Sequence, residues 1–162
     1  MVSRFPFVMD TSMHSKHYWH LLIMVVLSFV SMYVLMYAMV DSFANVYPNF
    51  NQFYMAGLMT APMVIIELLV MRAMYMNMKL NVLVIAVSVI ALLGFFFMIR
   101  YQTAITDKQF LKSMIPHHAS ALLMCEQAPI QDSEIQELCR GIITGQQSEI
   151  DLMKKMLDEL GE

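Results

Sequence analysis

Charge is what this sequence has least of. Only 14% of its 162 residues are Asp, Glu, Lys or Arg, with 10 basic side chains against 13 acidic. A globular surface ordinarily draws on about a quarter of the chain for charge. Here 59% of the residues are hydrophobic and the mean hydropathy is +0.58, so the apolar excess has to face lipid. These figures exclude disorder, and the acidic surplus excludes nucleic-acid binding. Cysteine is confined to two residues, too few for a disulfide-built fold or a four-thiolate zinc site but enough for one bridge. There is no glycine-rich phosphate loop and no Ser/His/Asp or Cys/His nucleophile arrangement, so no enzymatic activity is expected. A carboxylate-built di-iron centre calls for Glu-x-x-His motifs; the chain has none, which disfavours oxidase chemistry. Strand signals, repeats and low-complexity tracts are missing too. What the chain does have is methionine, 19 residues of it.

Three apolar runs approach the ~20 residues that cross a ~30 Å hydrocarbon core. The first, His20 to Val40, holds no charge; the second, about Phe53 to Met74, is interrupted by Pro62 and Glu67; the third, Asn81 to Ile99, stops at Arg100. The first run lacks a small-residue cleavage site and exceeds a signal core in length, so it is expected to be a retained span. Arg4 and Lys16 precede the first run, Arg72 and Lys79 flank the turn after the second, and Asp41 to Gln52 contains no Lys or Arg. Basic residues favour the cytoplasmic side. This puts the N-terminus inside, the first connection outside, the second turn inside and the C-terminus outside, against which Arg100, Lys108 and Lys112 run. Residues 1–19 are then a cytoplasmic segment, 20–100 a three-helix transmembrane domain, and 101–162 an extramembrane domain.

From Tyr101 onward the composition is that of a soluble segment, with five basic and ten acidic side chains. Thr106-Asp107-Lys108-Gln109 is a capping box, opening a helix through Pro116 to about Gln127; Pro116 is expected to kink it or delay its regular start. Ala128-Pro129-Ile130-Gln131 forms a tight connection. Asp132 or Ser133 caps a second helix that runs to about Leu160 and ends at Gly161. The predicted fold is all-α: three spans followed by a helical hairpin.

Helical spacing places Met114, His117, His118, Met124 and Cys125 in one sector of about 120° on the first arm. On the second arm it places Cys139, Gln146, Glu149 and Met153 among inward-facing aliphatic residues. Methionine alone reads as core filler. Adjacent imidazoles beside thioethers read differently, as a soft donor set suited to Cu(I) or Ag(I); zinc sites normally use no Met. Gln146 and Glu149 would then orient the imidazoles from behind, or simply hydrogen-bond them with no metal present. Cys125 and Cys139 are open to two readings, a bridge near the turn or free thiols bound to copper.

The string Phe110-Leu111-Lys112-Ser113-Met114-Ile115-Pro116-His117-His118, with Ala121 and Met124, resembles the signature of the family called domain of unknown function 305. So does Ile142-Ile143-x-x-Gln146-x-x-Glu149-Ile150-x-x-Met153, for a match over about residues 106–160. The resemblance implies a ferritin-like helical fold and periplasmic copper or silver binding in support of metal tolerance. It implies Met114, His117, His118, Met124 and Met153 as the metal ligands, with the three spans as an addition that shorter soluble members lack. The expectation is therefore a bacterial inner-membrane protein whose periplasmic hairpin binds and buffers Cu(I) or Ag(I). The runner-up is a membrane assembly protein with a buried His/Gln/Glu network, and a cuprous oxidase comes third. A four-helix bundle needs four arms and the hairpin has two, so a homodimer is expected, with Gly141 and Gly145 allowing close approach. Lipid and components of copper export are the other expected partners.

Inside the spans, Glu67 requires a partner or a role, because an unpaired carboxyl there costs roughly 2.5–3.5 kcal/mol. Ser28, Ser31 and Ser88 are its expected partners. Met32, Met36 and Met39 form one stripe and Met55, Met59 and Met63 another, read as helix packing or as a Cu(I) relay. Met13, His14, His17 and His20 read as an interfacial segment or a second soft-metal site.

Overall fold

The structure is a computed structural model that describes residues 11–161, with the backbone alone for 11–15. Arg4 and the side chains of Met13 and His14 lie outside the described residues. Helix α1 (Thr11–Leu35) continues as a 3-10 turn, Met36–Met39, and a second such turn covers Phe43–Asn45. Then come α2 (Phe50–Val70), α3 (Met78–Arg100), α4 (Asp107–Gln127) and α5 (Ser133–Glu159). No strand occurs among the described residues, in keeping with the all-α expectation.

The segments Lys16–Met39, Phe50–Val70 and Met78–Arg100 are long and apolar enough to cross a membrane. Helix α2 is the middle one, packed against both α1 and α3. Its buried face carries the small residues Ala56, Gly57, Thr60 and Ala61, which let neighbouring helices approach closely. The outer helices expose Leu22, Val26, Val30, Val82, Leu83 and Ile90, a surface that suits hydrocarbon and no aqueous phase. At Gly57 an added Cβ would overlap the Phe95 ring of α3, whereas Gly94 has open space around it. Gly57→Ala is therefore expected to cost about 1–3 kcal/mol by overpacking, seen as a lower thermal midpoint in detergent. Gly94→Ala, the control, leaves the midpoint unchanged or raises it slightly.

At the end of the layer away from the hairpin, Tyr18 Oη donates to Asn81 Oδ1 (2.7 Å) and Asn81 Nδ2 to the Tyr75 carbonyl (2.7 Å). Tyr75 Oη in turn donates to Glu67 Oε1 (3.4 Å). The partner of Glu67 is thus Tyr75 and none of the three serines. Ser28 donates to Met24 Sδ, Ser88 to the Val84 carbonyl, and Ser31 is exposed. The reason is position: Glu67 belongs to the last turn of α2, where the connection to α3 folds Tyr75 back onto it. Burial, and after it the Glu67 carboxylate, holds the Tyr75 hydroxyl above the usual phenol pKa. His17 packs edge-on to Tyr75 at 6.5 Å while His20 is exposed.

The hairpin begins and ends where the sequence places it. Thr106 Oγ1 accepts from the Gln109 N–H (3.4 Å), and Asp132 Oδ1 accepts from the N–H groups of Glu134 and Ile135. Gly161, at φ +81°, closes α5. Its core joins Leu111, Ile115, Ala119 and Leu122 of α4 to Ile150, Met153 and Leu157 of α5. Helix α4 runs unbroken through Pro116. Proline has no N–H, so the Lys112 carbonyl one turn earlier loses its helical donor. Asn49 Nδ2 faces that carbonyl at 3.4 Å, and Asn49 Oδ1 also caps α2 by accepting from the Gln52 N–H. Gln109, the last residue of the capping box, accepts instead from the Phe50 N–H at the start of α2 (3.0 Å). Asn51 and Gln102 pair through their amides, and Asn51 also donates to Ser113 Oγ. Together these bonds seat α4 on the end of the layer that carries the Met36–Asn49 connection.

Candidate soft-metal site

Helix α4 turns its aliphatic stripe, not its His/Met sector, toward α5. Leu111, Ile115, Ala119 and Leu122 are all buried, and at about 100° per residue they centre roughly a quarter-turn from Met114. His118 borders this stripe; His117 and Met124 fall on the far side of the helix. The physical reason is a contest between two stripes on one helix, in which full removal of aliphatic surface from water outweighs burial of thioethers and imidazoles.

The expected ligands differ in burial and facing. Met153 is part of the hairpin core, 9% exposed, and Met124 is 51% exposed. The His118 side chain, 13% exposed, faces α5 and brings Nδ1 within 3.0 Å of Glu149 Oε2. That distance allows an ion pair, yet the alignment is poor for a hydrogen bond, and the buried Nδ1 lacks a well-directed partner. Gln146 Oε1 is likewise buried and unpartnered. A hydrogen bond from Nδ1 to Glu149, which needs only a small turn of either side chain, would leave Nε2 free for a metal, as outer carboxylates do for metal-bound histidines. The His117 and His118 rings are 6.1 Å apart and tilted by 58°. Met114 packs on the edge of the core and, with His117, lines a groove against the C-terminal end of α1 and the start of α2. The structure sets His118 against Glu149 and puts Met114 and His117 on one groove, with Met114 also against the core that holds Met153, while Met124 is exposed.

Cys125 and Cys139 form a disulfide with their Cα atoms 5.3 Å apart. This leaves no free thiol among the described residues, so copper ligation by cysteine does not apply to this form. Among the described residues no three His, Cys, Asp or Glu side chains are grouped to hold a metal ion. The donors at hand are therefore imidazole nitrogens and thioether sulfurs, a set that fits a soft monovalent ion and no hard divalent one. Sequence reasoning missed Asn49 and Gln52 altogether. The signal was present for Asn49, a good capping residue standing directly before a helical run.

Residues 71–161 match the family profile described as Domain of unknown function (DUF305). The match extends beyond the 106–160 read from the motifs and takes in α3, so the third span lies within the matched region and is not an addition to it. An uncharacterized protein of Acanthamoeba polyphaga mimivirus is 34% identical over 142 residues, covering 86% of this chain and 91% of that protein. No solved structure matches the chain.

Proposed function

The chain belongs to the domain of unknown function 305 family, and from that premise we propose that it is a membrane-anchored protein that binds Cu(I) or Ag(I) for metal buffering or tolerance. The observation that carries this reading is the His117–His118 pair on α4, with Met114 one turn before and Glu149 set against His118 Nδ1. Neutral imidazole and thioether are the donors a d10 monovalent ion prefers. In this reading His117, His118 and Met114 hold the ion, Glu149 orients His118, and Gln146 supplies a second polar group from α5. Arg72 and Lys79 beside the α2–α3 turn, with no Lys or Arg from Asp41 to Gln52, support a hairpin on the periplasmic face of a bacterial inner membrane. A homodimer forms through α5, where Leu138, Gly141, Ile142 and Gly145 line an open groove; two hairpins then make a four-helix, ferritin-like bundle.

The test is Cu(I) titration of the full chain in detergent against a competing chelator. Wild-type protein is expected to bind tightly, and His117→Ala/His118→Ala to lose that binding with its helicity intact. Affinity no better than micromolar, or affinity that survives the double substitution, overturns the reading. One observation favours a second reading, a polar network without metal: the His118–Glu149 contact already joins α4 to α5. In that case the double substitution lowers stability, and Cu(I) leaves the melting of wild-type protein unmoved.

A further inference from the structure

A groove of about 400 Å³ lies where α4 meets the ends of the first two spans. Met36 and Met39 line it from the turn after α1, Met55 from α2, and Met114 and His117 from α4. Gln52, on the same wall, has its Oε1 buried with no hydrogen-bond partner. Four thioethers and an imidazole, drawn from three elements, thus share one concavity, and no carboxylate lines it. Met39 is 48% exposed and Met55 38%, so the protein itself encloses neither. A hard divalent ion would find no anionic oxygen in this lining. A soft monovalent ion would find sulfur, nitrogen and one unused amide oxygen.

We propose that this groove is a Cu(I) or Ag(I) site shared between the membrane layer and the hairpin. The inference rests on the soft-metal reading above and extends it, because Met36, Met39 and Met55 lie outside the hairpin. The site sits at the ends of the spans Lys16–Met39 and Phe50–Val70, at the boundary between hydrocarbon and the hairpin. An ion held there bridges α4 to the first two spans, across the seam already closed by the contacts of Asn49 with Lys112 and of Phe50 with Gln109. The hairpin's donors would otherwise reach an ion from one side only.

The experiment uses Ag(I), which does not change oxidation state, and the full chain in detergent. Peroxide converts accessible Met to the sulfoxide, and a sulfur bound to Ag(I) is protected. Peptide mass spectrometry is expected to show protection of Met36, Met39, Met55 and Met114 on adding Ag(I). Met76 and Met78, exposed at the opposite end of the layer, stay reactive. Met36→Leu/Met39→Leu/Met55→Leu preserves side-chain volume and is expected to weaken Ag(I) binding by at least the roughly 10–100-fold that loss of a mere outer partner costs. If His117→Ala/His118→Ala abolishes binding while the triple variant binds normally and those methionines stay reactive, the shared site is overturned and the hairpin reading stands. If wild-type protein binds no Ag(I), both fall together. Because the footprint is read on wild-type protein, it does not depend on any variant folding.

Discussion

The chain carrying Cys125→Ser and Cys139→Ser is expected to lose about 3 kcal/mol of hairpin stability, the chain-entropy value for closing a loop of about 15 residues. The loss should be local. The buried residues of α5 are Ile150, Met153 and Leu157, all in its second half. Between Ser133 and Ile143 only Cys139, Ile142 and Ile143 are even half-buried, so the bridge to Cys125 is the principal tether of that stretch. Hydrogen exchange followed by mass spectrometry should show α5 amides from about 137 to 145 exchanging roughly a hundredfold faster, while those around Ile150 to Leu157 hold. Uniform acceleration along α5 would mean that the bridge supports the whole hairpin cooperatively; no change would mean that contacts other than the disulfide pin its first half. Ag(I) affinity should stay at the wild-type level, since neither sulfur is a donor in the proposed sites.

How much of this was legible in the sequence depends on how local the determining physics is. The ends of α4 and α5 are set by Thr106, Asp132 and Gly161, each acting within a turn of its own position; Thr106 and Gly161 are readable from the string, and the cap of α5 is readable to within Asp132 or Ser133. The three apolar helices are readable as well, because length and lack of charge suffice. The facing of α4 was not. Two stripes coexist on that helix, Leu111-Ile115-Ala119-Leu122 and Met114-His117-Met124, and attention to donor chemistry favours the second where burial selects the first. The partner of Glu67 escaped for a different reason. Tyr75 reaches it only because the α2–α3 turn folds back, and the serines on neighbouring helices were the plausible alternatives on composition alone. The groove was least legible of all. Met36, Met55 and His117 line one groove across a seam that Asn49 and the Lys112 carbonyl, 63 positions apart, help to close.

The competition between stripes on α4 is itself open to measurement. Ile115→Ala removes a side chain with 0% exposure at the centre of the hairpin core, and such truncations cost about 2–5 kcal/mol, the spread reflecting how far the cavity collapses. Met153→Leu, at the facing position on α5, exchanges side chains of nearly equal volume and should cost less than about 1.5 kcal/mol. Thermal or urea melts of the full chain in detergent, followed by helicity, provide the comparison. The metal titration separates the two roles further. Ile115→Ala should weaken Ag(I) binding only so far as the hairpin unfolds, and addition of excess metal should recover it. Met153→Leu should bind as wild type does if Met153, enclosed in the cluster of Leu111, Ile115 and Ile150, acts through packing alone. Loss of affinity in Met153→Leu with the fold intact would make it a ligand beside Met114, and bringing His117 to the same ion would require α4 to rotate so that His117 turns inward. That rotation would take Ile115 and Leu122 out of the core, and their burial is what opposes it.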